Sequence, residues 1–164
     1  MFRMWETADG ILPTSVKSIA QTRNGYVWLA AQDSIVRFDG TRAKSFSGAS
    51  VPALASPLRS LATFADSGGR LWCSSTDKSL YVLERDVWRK VGEAEGWDAA
   101  EPVRAFTQQG GEDLVAVAGS RLLVFRGGKL SPLPLPPGAT ALPTLQPTYS
   151  RSGKSSSSSL LVLR

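Results

Sequence analysis

Histidine is missing from the chain altogether, and cysteine occurs once, as Cys73. A His/Cys metal site, a His-based catalytic triad and an internal disulfide are thereby excluded within these 164 residues. Long apolar runs are missing too. No stretch approaches the roughly 18 consecutive apolar residues of a membrane-spanning helix, and the opening MFRMWETADG lacks the apolar centre of a secretion signal. The expectation is a chain with no membrane segment and no export signal of its own. Basic residues outnumber acidic ones, for a net charge of +5, but no run of Lys and Arg exceeds two. Scattered charge of that kind describes a solvated surface, so nucleic acid is not expected as a partner.

Chemical motifs are equally scarce. Asp33, Asp39, Asp77 and Asp86 all fall in turn-like stretches, where Asp commonly serves the backbone, and they offer no paired acid and base. Gly153-Lys154-Ser155 lacks the upstream glycine of a phosphate loop, since Thr148 stands there, and prolines occupy the place of the preceding strand. Asp66-Ser67-Gly68-Gly69 lacks the alternating carboxylates of a calcium loop and reads as a hairpin turn. The expectation is a protein that is not an enzyme and takes no cofactor. Cys73, inside the apolar RLWCS, is expected to be a small core residue.

What the chain does have is a repeat. Residues 16 to 46, VKSIAQTRNGYVWLAAQDSIVRFDGTRAKSF, share their plan with 58 to 91 and with 103 to 133. Matching Val16 to Leu58 and Val103 gives steps of 42 and 45 residues, a spacing typical of four-stranded blade repeats. In YVWLA, Tyr26 and Trp28 face one way and Val27 and Leu29 the other, so the strand is apolar on both sides and must be covered on both. The connections are short stretches of Gly, Asp, Asn and Ser, which permit antiparallel hairpins and leave no room for crossover helices. The predicted fold is all-β: an incomplete β-propeller of about three four-stranded antiparallel blades. Trp28 and Trp72 are expected at equivalent buried places between blades.

The pattern of an apolar residue, then x-S-[IL], a Gly turn, G-x-[VL]-W and an apolar strand ending near Asp-Gly resembles the two-component regulator propeller repeat. The lead-in Asp9-Gly10-Ile11-Leu12-Pro13 is similar to the D-G-L-P that often opens such arrays. The likeness covers roughly residues 5 to 133; it is strongest in the first unit and weakest in the third, where Val115 replaces the tryptophan. It implies a sensor propeller outside the inner membrane of bacteria, upstream of a histidine kinase or another signalling output, hence a periplasmic location. The family's Gly-Leu after the tryptophan strand is absent, with Asp33-Ser34-Ile35 in its place, so no specific ligand carries over.

The units divide the chain into a lead-in with one strand at 2 to 5 (residues 1 to 15), blade 1 (16 to 50), blade 2 (51 to 94), blade 3 (95 to 136) and a tail (137 to 164). The tail, with its prolines and SRSGKSSSSS, is expected to be disordered, although the terminal LLVLR suits an edge strand. The chain reads as a piece of a longer array. The acidic linker GEAEGWDAAEP carries Trp97, expected on a solvent-facing loop laid against a blade and tolerant of replacement. The candidate ligand-binding residues are Lys17, Arg59 and Arg104, the second residue of each innermost strand, which in a propeller would converge at one mouth of the channel and attract a small anion. The plainer reading is a long basic side chain where a strand starts in water. The expected function is a non-catalytic sensory or ligand-binding module with a signalling partner; the alternative is an assembly role, in which open terminal blades close a ring by self-association.

Overall fold

The computed structural model describes residues 15 to 108 and 113 to 134, together with two-residue strands at 140 to 141 and 162 to 163. Twelve strands form three antiparallel sheets of four, each ordered as in the sequence. The first blade holds β1 (Val16–Gln21), β2 (Val27–Ala31), β3 (Ile35–Phe38) and β4 (Ala43–Phe46). The second holds β5 (Ser60–Ala65), β6 (Leu71–Ser75), β7 (Leu80–Glu84) and β8 (Val87–Val91). The third holds β9 (Val103–Gln108), β10 (Leu114–Ala118), β11 (Arg121–Arg126) and β12 (Lys129–Leu133). Among the described residues helical structure is limited to a 3-10 turn at Glu93–Glu95, and no helix is long and apolar enough to cross a membrane.

The sheets stack face to face with their first strands side by side, β5 packing between β1 and β9. This is the propeller arrangement that two-sided strands require. One apolar cluster, with Trp28, Ile35, Leu71, Tyr81 and Trp88, fills the space between blades 1 and 2; another, with Trp72, Val82, Phe106, Leu114 and Phe125, fills that between blades 2 and 3. The linker between the first two blades contributes Leu54 and Leu58, both buried. Cys73 is fully buried as a core residue, and burial pushes its thiol up to about 12. Trp28 and Trp72 are 2% and 0% exposed, at equivalent places in their sheets. Along the inner edge, Ser18 Oγ accepts from the Thr63 N–H at 3.1 Å, tying β1 to β5 across the blade boundary.

Two expectations need correction. Strand pairing sets Val27, Leu71 and Leu114 opposite Gln21, Ala65 and Gln108, so the repeat steps are 44 and 43 residues and Val16 corresponds to Ser60, not Leu58. The slip arose because Leu58 is as apolar as a strand residue, yet it belongs to the linker and is buried there. Trp97 is only 3% exposed: it sits in the cluster between blades 2 and 3, and its indole N–H donates to the Lys78 carbonyl at 3.0 Å. Gly96 makes this possible, since at φ 83° its missing Cβ would lie 2.3 Å from the Leu130 carbonyl oxygen, so the turn lies flat against β12. On the terminal blades Ile19 and Leu133 are 49% and 39% exposed, while Val36, Val117 and Leu122 are buried.

The strand expected at 2 to 5 lies outside the described residues. So does most of the tail expected to be disordered, except that β13 (Thr140–Ala141) pairs antiparallel with β14 (Val162–Leu163) from the terminal LLVLR.

The packing sets a stability order that differs from the one the sequence suggested. Trp72→Ala is expected to cost about 3 to 5 kcal/mol, the range for a large buried aromatic, and Trp97→Ala a similar amount. Urea unfolding of each variant checks this; a loss for Trp97→Ala below about 1 kcal/mol, small even for a modest core change, would contradict the packing described.

Candidate functional site

The register decides which of the basic residues are equivalent. Each innermost strand carries a bulge: Lys17 is the extra residue between Val16 and Ser18, Leu61 between Ser60 and Ala62, and Arg104 between Val103 and Ala105. Lys17 and Arg104 therefore occupy matching places, while the third such place belongs to Leu61. Arg59 lies just before β5, where its carbonyl accepts from the Thr76 N–H at 2.9 Å and the Ser75 hydroxyl at 3.0 Å. All three side chains are exposed, and among the described residues none forms an ion pair. A bulge re-aims the side chain it carries, so Lys17 and Arg104 share a device that Arg59 lacks.

At the opposite end of the strands, a cleft of about 250 Å³ opens between blades 1 and 2. The β1–β2 turn supplies Arg23, Asn24 and Tyr26, β3 supplies Arg37, and the β7–β8 turn supplies Arg85 and Asp86. Arg85 and Asp86 both have positive φ, 50° and 62°, which is how a two-residue hairpin brings its central side chains to the end of the sheet. The floor is apolar, with Trp28, Leu71 and Leu83. The Arg37 guanidinium stacks over the Tyr26 ring at 4.4 Å and lies 5.9 Å from the Trp28 ring. No carboxylate among the described residues pairs with Arg23, Arg37 or Arg85. Three guanidinium groups thus face one carboxylate, Asp86, around a small apolar floor.

The corresponding end of the space between blades 2 and 3 is built differently. Asp66, whose side chain is fully buried, accepts from Arg70 Nε at 2.6 Å, from the Trp72 indole at 2.8 Å and from the Arg70 N–H at 2.9 Å. Arg70 then lies 4.9 Å over the Phe125 ring and 5.9 Å from Trp72, closing the space. In blade 1 the place of Asp66 is taken by Thr22, which accepts the Trp28 indole N–H at 3.1 Å but has no charge to offer an arginine. Sequence reasoning saw Asp66 as a turn residue and passed over Arg37. The signal was a charged residue on an otherwise apolar strand, IVRFD, one hairpin away from a tryptophan.

Elsewhere the carboxylates serve the backbone or exposed ion pairs. Asp39 accepts from the Thr41 and Arg42 N–H groups at 2.8 and 2.7 Å, and Asp113 pairs with Arg126. Asp98 takes both Arg121 Nη1 and Nη2, at 2.6 and 2.9 Å; that guanidinium, helped by the Ala100 N–H, brings the Asp98 carboxyl down to about 2. Among the described residues no group of His, Cys, Asp and Glu is placed to hold a metal.

No protein-family model matches the sequence, and no curated protein matches it. Solved structures do match in fold. The extracellular domain of the two-component-system protein BT3049 from B. thetaiotaomicron superimposes with a TM-score of 0.62 at 15% identity, over 75% of this chain and 17% of that one. Virginiamycin B lyase from Staphylococcus aureus, in a catalytically inactive histidine-to-alanine form with quinupristin, gives 0.57 at 14% identity, over 74% of this chain and 41% of that one. YCF48 bound to D1 peptide gives 0.56 at 9% identity, over 71% and 39%. The chain is thus a β-propeller in fold and spans well under half the length of these neighbours.

The Asp98–Arg121 pair makes a pH prediction. A carboxyl held near 2 in the folded chain and near 3.9 in the unfolded chain contributes stability above about pH 4 that is lost as pH falls toward 2. Both groups are largely exposed, so the contribution is expected at about 0.2 to 1 kcal/mol. Asp98→Asn should lower stability by that amount at pH 6 and by clearly less at pH 2, where the carboxyl is about half protonated, read from urea midpoints; an equal loss at both pH values would show that the charge is not responsible.

Proposed function

We propose that the chain is a ligand-binding propeller module of a sensory protein, with no catalysis of its own. The observation that carries this reading is the cleft between blades 1 and 2, where guanidinium groups with no carboxylate partner among the described residues and an aromatic ring surround an apolar floor. Pockets of this composition hold small molecules through a few placed polar groups, and 250 Å³ suits a small ligand. The fold it shares with an extracellular two-component domain supports a sensory setting, and its proposed location is accordingly periplasmic or extracellular. Lys17 and Arg104, at their matching bulges, are proposed as a second, weaker basic feature at the far end of the inner strands; Arg59 is not proposed to act with them.

A lyase activity is disfavoured by one chemical fact. The neighbouring lyase is catalytically inactive once a histidine becomes alanine, and this chain has no histidine at all.

The test is thermal unfolding of the chain against a panel of sugars, nucleotides, amino acids and organic acids. A ligand at 100 times its Kd stabilises the native state by about 2.7 kcal/mol, which for a domain of this size raises Tm by about 5 to 10 °C. At least one compound class should do so and be recovered unchanged. A panel with no shift, or a compound consumed in the assay, would overturn the reading.

A further inference from the structure

We infer that the cleft between blades 1 and 2 is a site for a small carboxylate with an apolar body, which takes the place that Asp66 fills in the next blade. The inference rests on the binding-module reading above and names the ligand class of that same site.

The argument is a comparison of two equivalent places in one molecule. In blades 1 and 2 the tryptophan of the second strand donates its indole N–H to the side chain six residues earlier, Thr22 in one and Asp66 in the other. In both, an arginine guanidinium lies 5.9 Å from that tryptophan, though from different positions: Arg70 just before β6, where blade 1 has Tyr26, and Arg37 on β3, where blade 2 has Val82. Blade 2 completes the set internally: the Asp66 carboxylate neutralises Arg70, and Phe125 covers it. Blade 1 keeps the tryptophan, has Thr22 in place of the carboxylate and brings Arg37 in from β3, and Thr22 and Arg37 both line the open cleft. Arg37 is held in place by the Tyr26 ring beneath it, so its fork is already oriented. A planar carboxylate matches that fork in two parallel hydrogen bonds. Arg23 and Arg85 add positive potential from the two turns.

Two features narrow the class further. The floor of Trp28, Leu71 and Leu83 offers nothing to a polar ligand body and suits an aromatic or aliphatic one. Asp86 at the rim opposes a second negative charge, which favours a monocarboxylate over phosphate. A free organic acid and the free carboxylate of a peptide share this chemistry.

The experiment is isothermal titration of the full chain with four probes: benzoate, its uncharged amide benzamide, inorganic phosphate, and N-acetyl-phenylalanine as a peptide-like carboxylate. At least one of the two carboxylates should bind tenfold or more tightly than both benzamide and phosphate; benzoate alone points to a free acid, and N-acetyl-phenylalanine alone to a peptide terminus. Arg37→Gln should weaken that binding tenfold or more. Thr22→Asp, which installs the missing carboxylate, should abolish binding while raising the unfolding midpoint, a combination that misfolding would not produce. Arg85→Gln, on an exposed turn, should weaken binding without changing the midpoint. Equal binding of benzoate and benzamide, preference for phosphate, or undiminished binding in Thr22→Asp would overturn the carboxylate site. Should a compound of another class shift Tm in the wider panel while neither carboxylate binds, the carboxylate inference falls and the binding-module reading stands.

Discussion

A four-stranded sheet that is apolar on both faces cannot stand alone in water, and this constraint governs the rest of the molecule. Blade 2 satisfies it completely, with Trp72 and Val82 on one side and Tyr81 and Cys73 on the other, all within 1% of full burial. Its neighbours are therefore structural necessities. Two large apolar clusters result, one per blade boundary, and the linkers that carry Leu54, Leu58 and Trp97 are drawn into them. The first strands are brought side by side as a by-product, which is where Ser18 and Thr63 meet.

Within that stack, the tryptophan of the second strand has a double task. Its ring fills the boundary with the next blade, and its N–H must find an acceptor because no water reaches it. The residue opening the hairpin turn six positions earlier provides that acceptor. The choice of acceptor then decides what happens at the end of the boundary. A carboxylate captures an arginine and shuts the space; a hydroxyl satisfies the indole and leaves the nearest arginine uncommitted. The exchange of Asp66 and Arg70 for Thr22 and Tyr26 between corresponding hairpins thus separates a sealed boundary from an open one.

The fold was legible because it depends on alternation and turn length, which the letters display directly. YVWLA announces two buried faces, and the Gly- and Asn-bearing turns announce hairpins, so the strands and the two equivalent tryptophans could be placed. Exact register was not legible. Leu58 and Ser60 differ by two residues, which keeps the face the same, so pattern alone could not choose between them, and Arg59 was aligned with Lys17 and Arg104 as a consequence. The bulges that set the true alignment leave no mark in composition. Trp97 was misjudged because acidic neighbours suggest solvent, whereas its burial comes from contact with β12 some 30 residues onward and from a glycine that lets the turn approach. The cleft was the least visible, since it joins hairpin turns and strand residues of two blades that meet only when those blades dock.

The single thiol offers a clock. Cys73 is packed in the boundary between the first two blades, and with its ionisation pushed up to about 12 it holds almost no thiolate at neutral pH. Alkylating reagents attack the thiolate, so the closed molecule is inert to them on both counts. Modification can proceed only during moments when those two blades part, and with one cysteine in the chain there is no competing signal. The rate of labelling thus reports how far opening exposes that boundary, available on the unaltered sequence. Any molecule lodged between the same two blades would slow that labelling in proportion to the time it spends there.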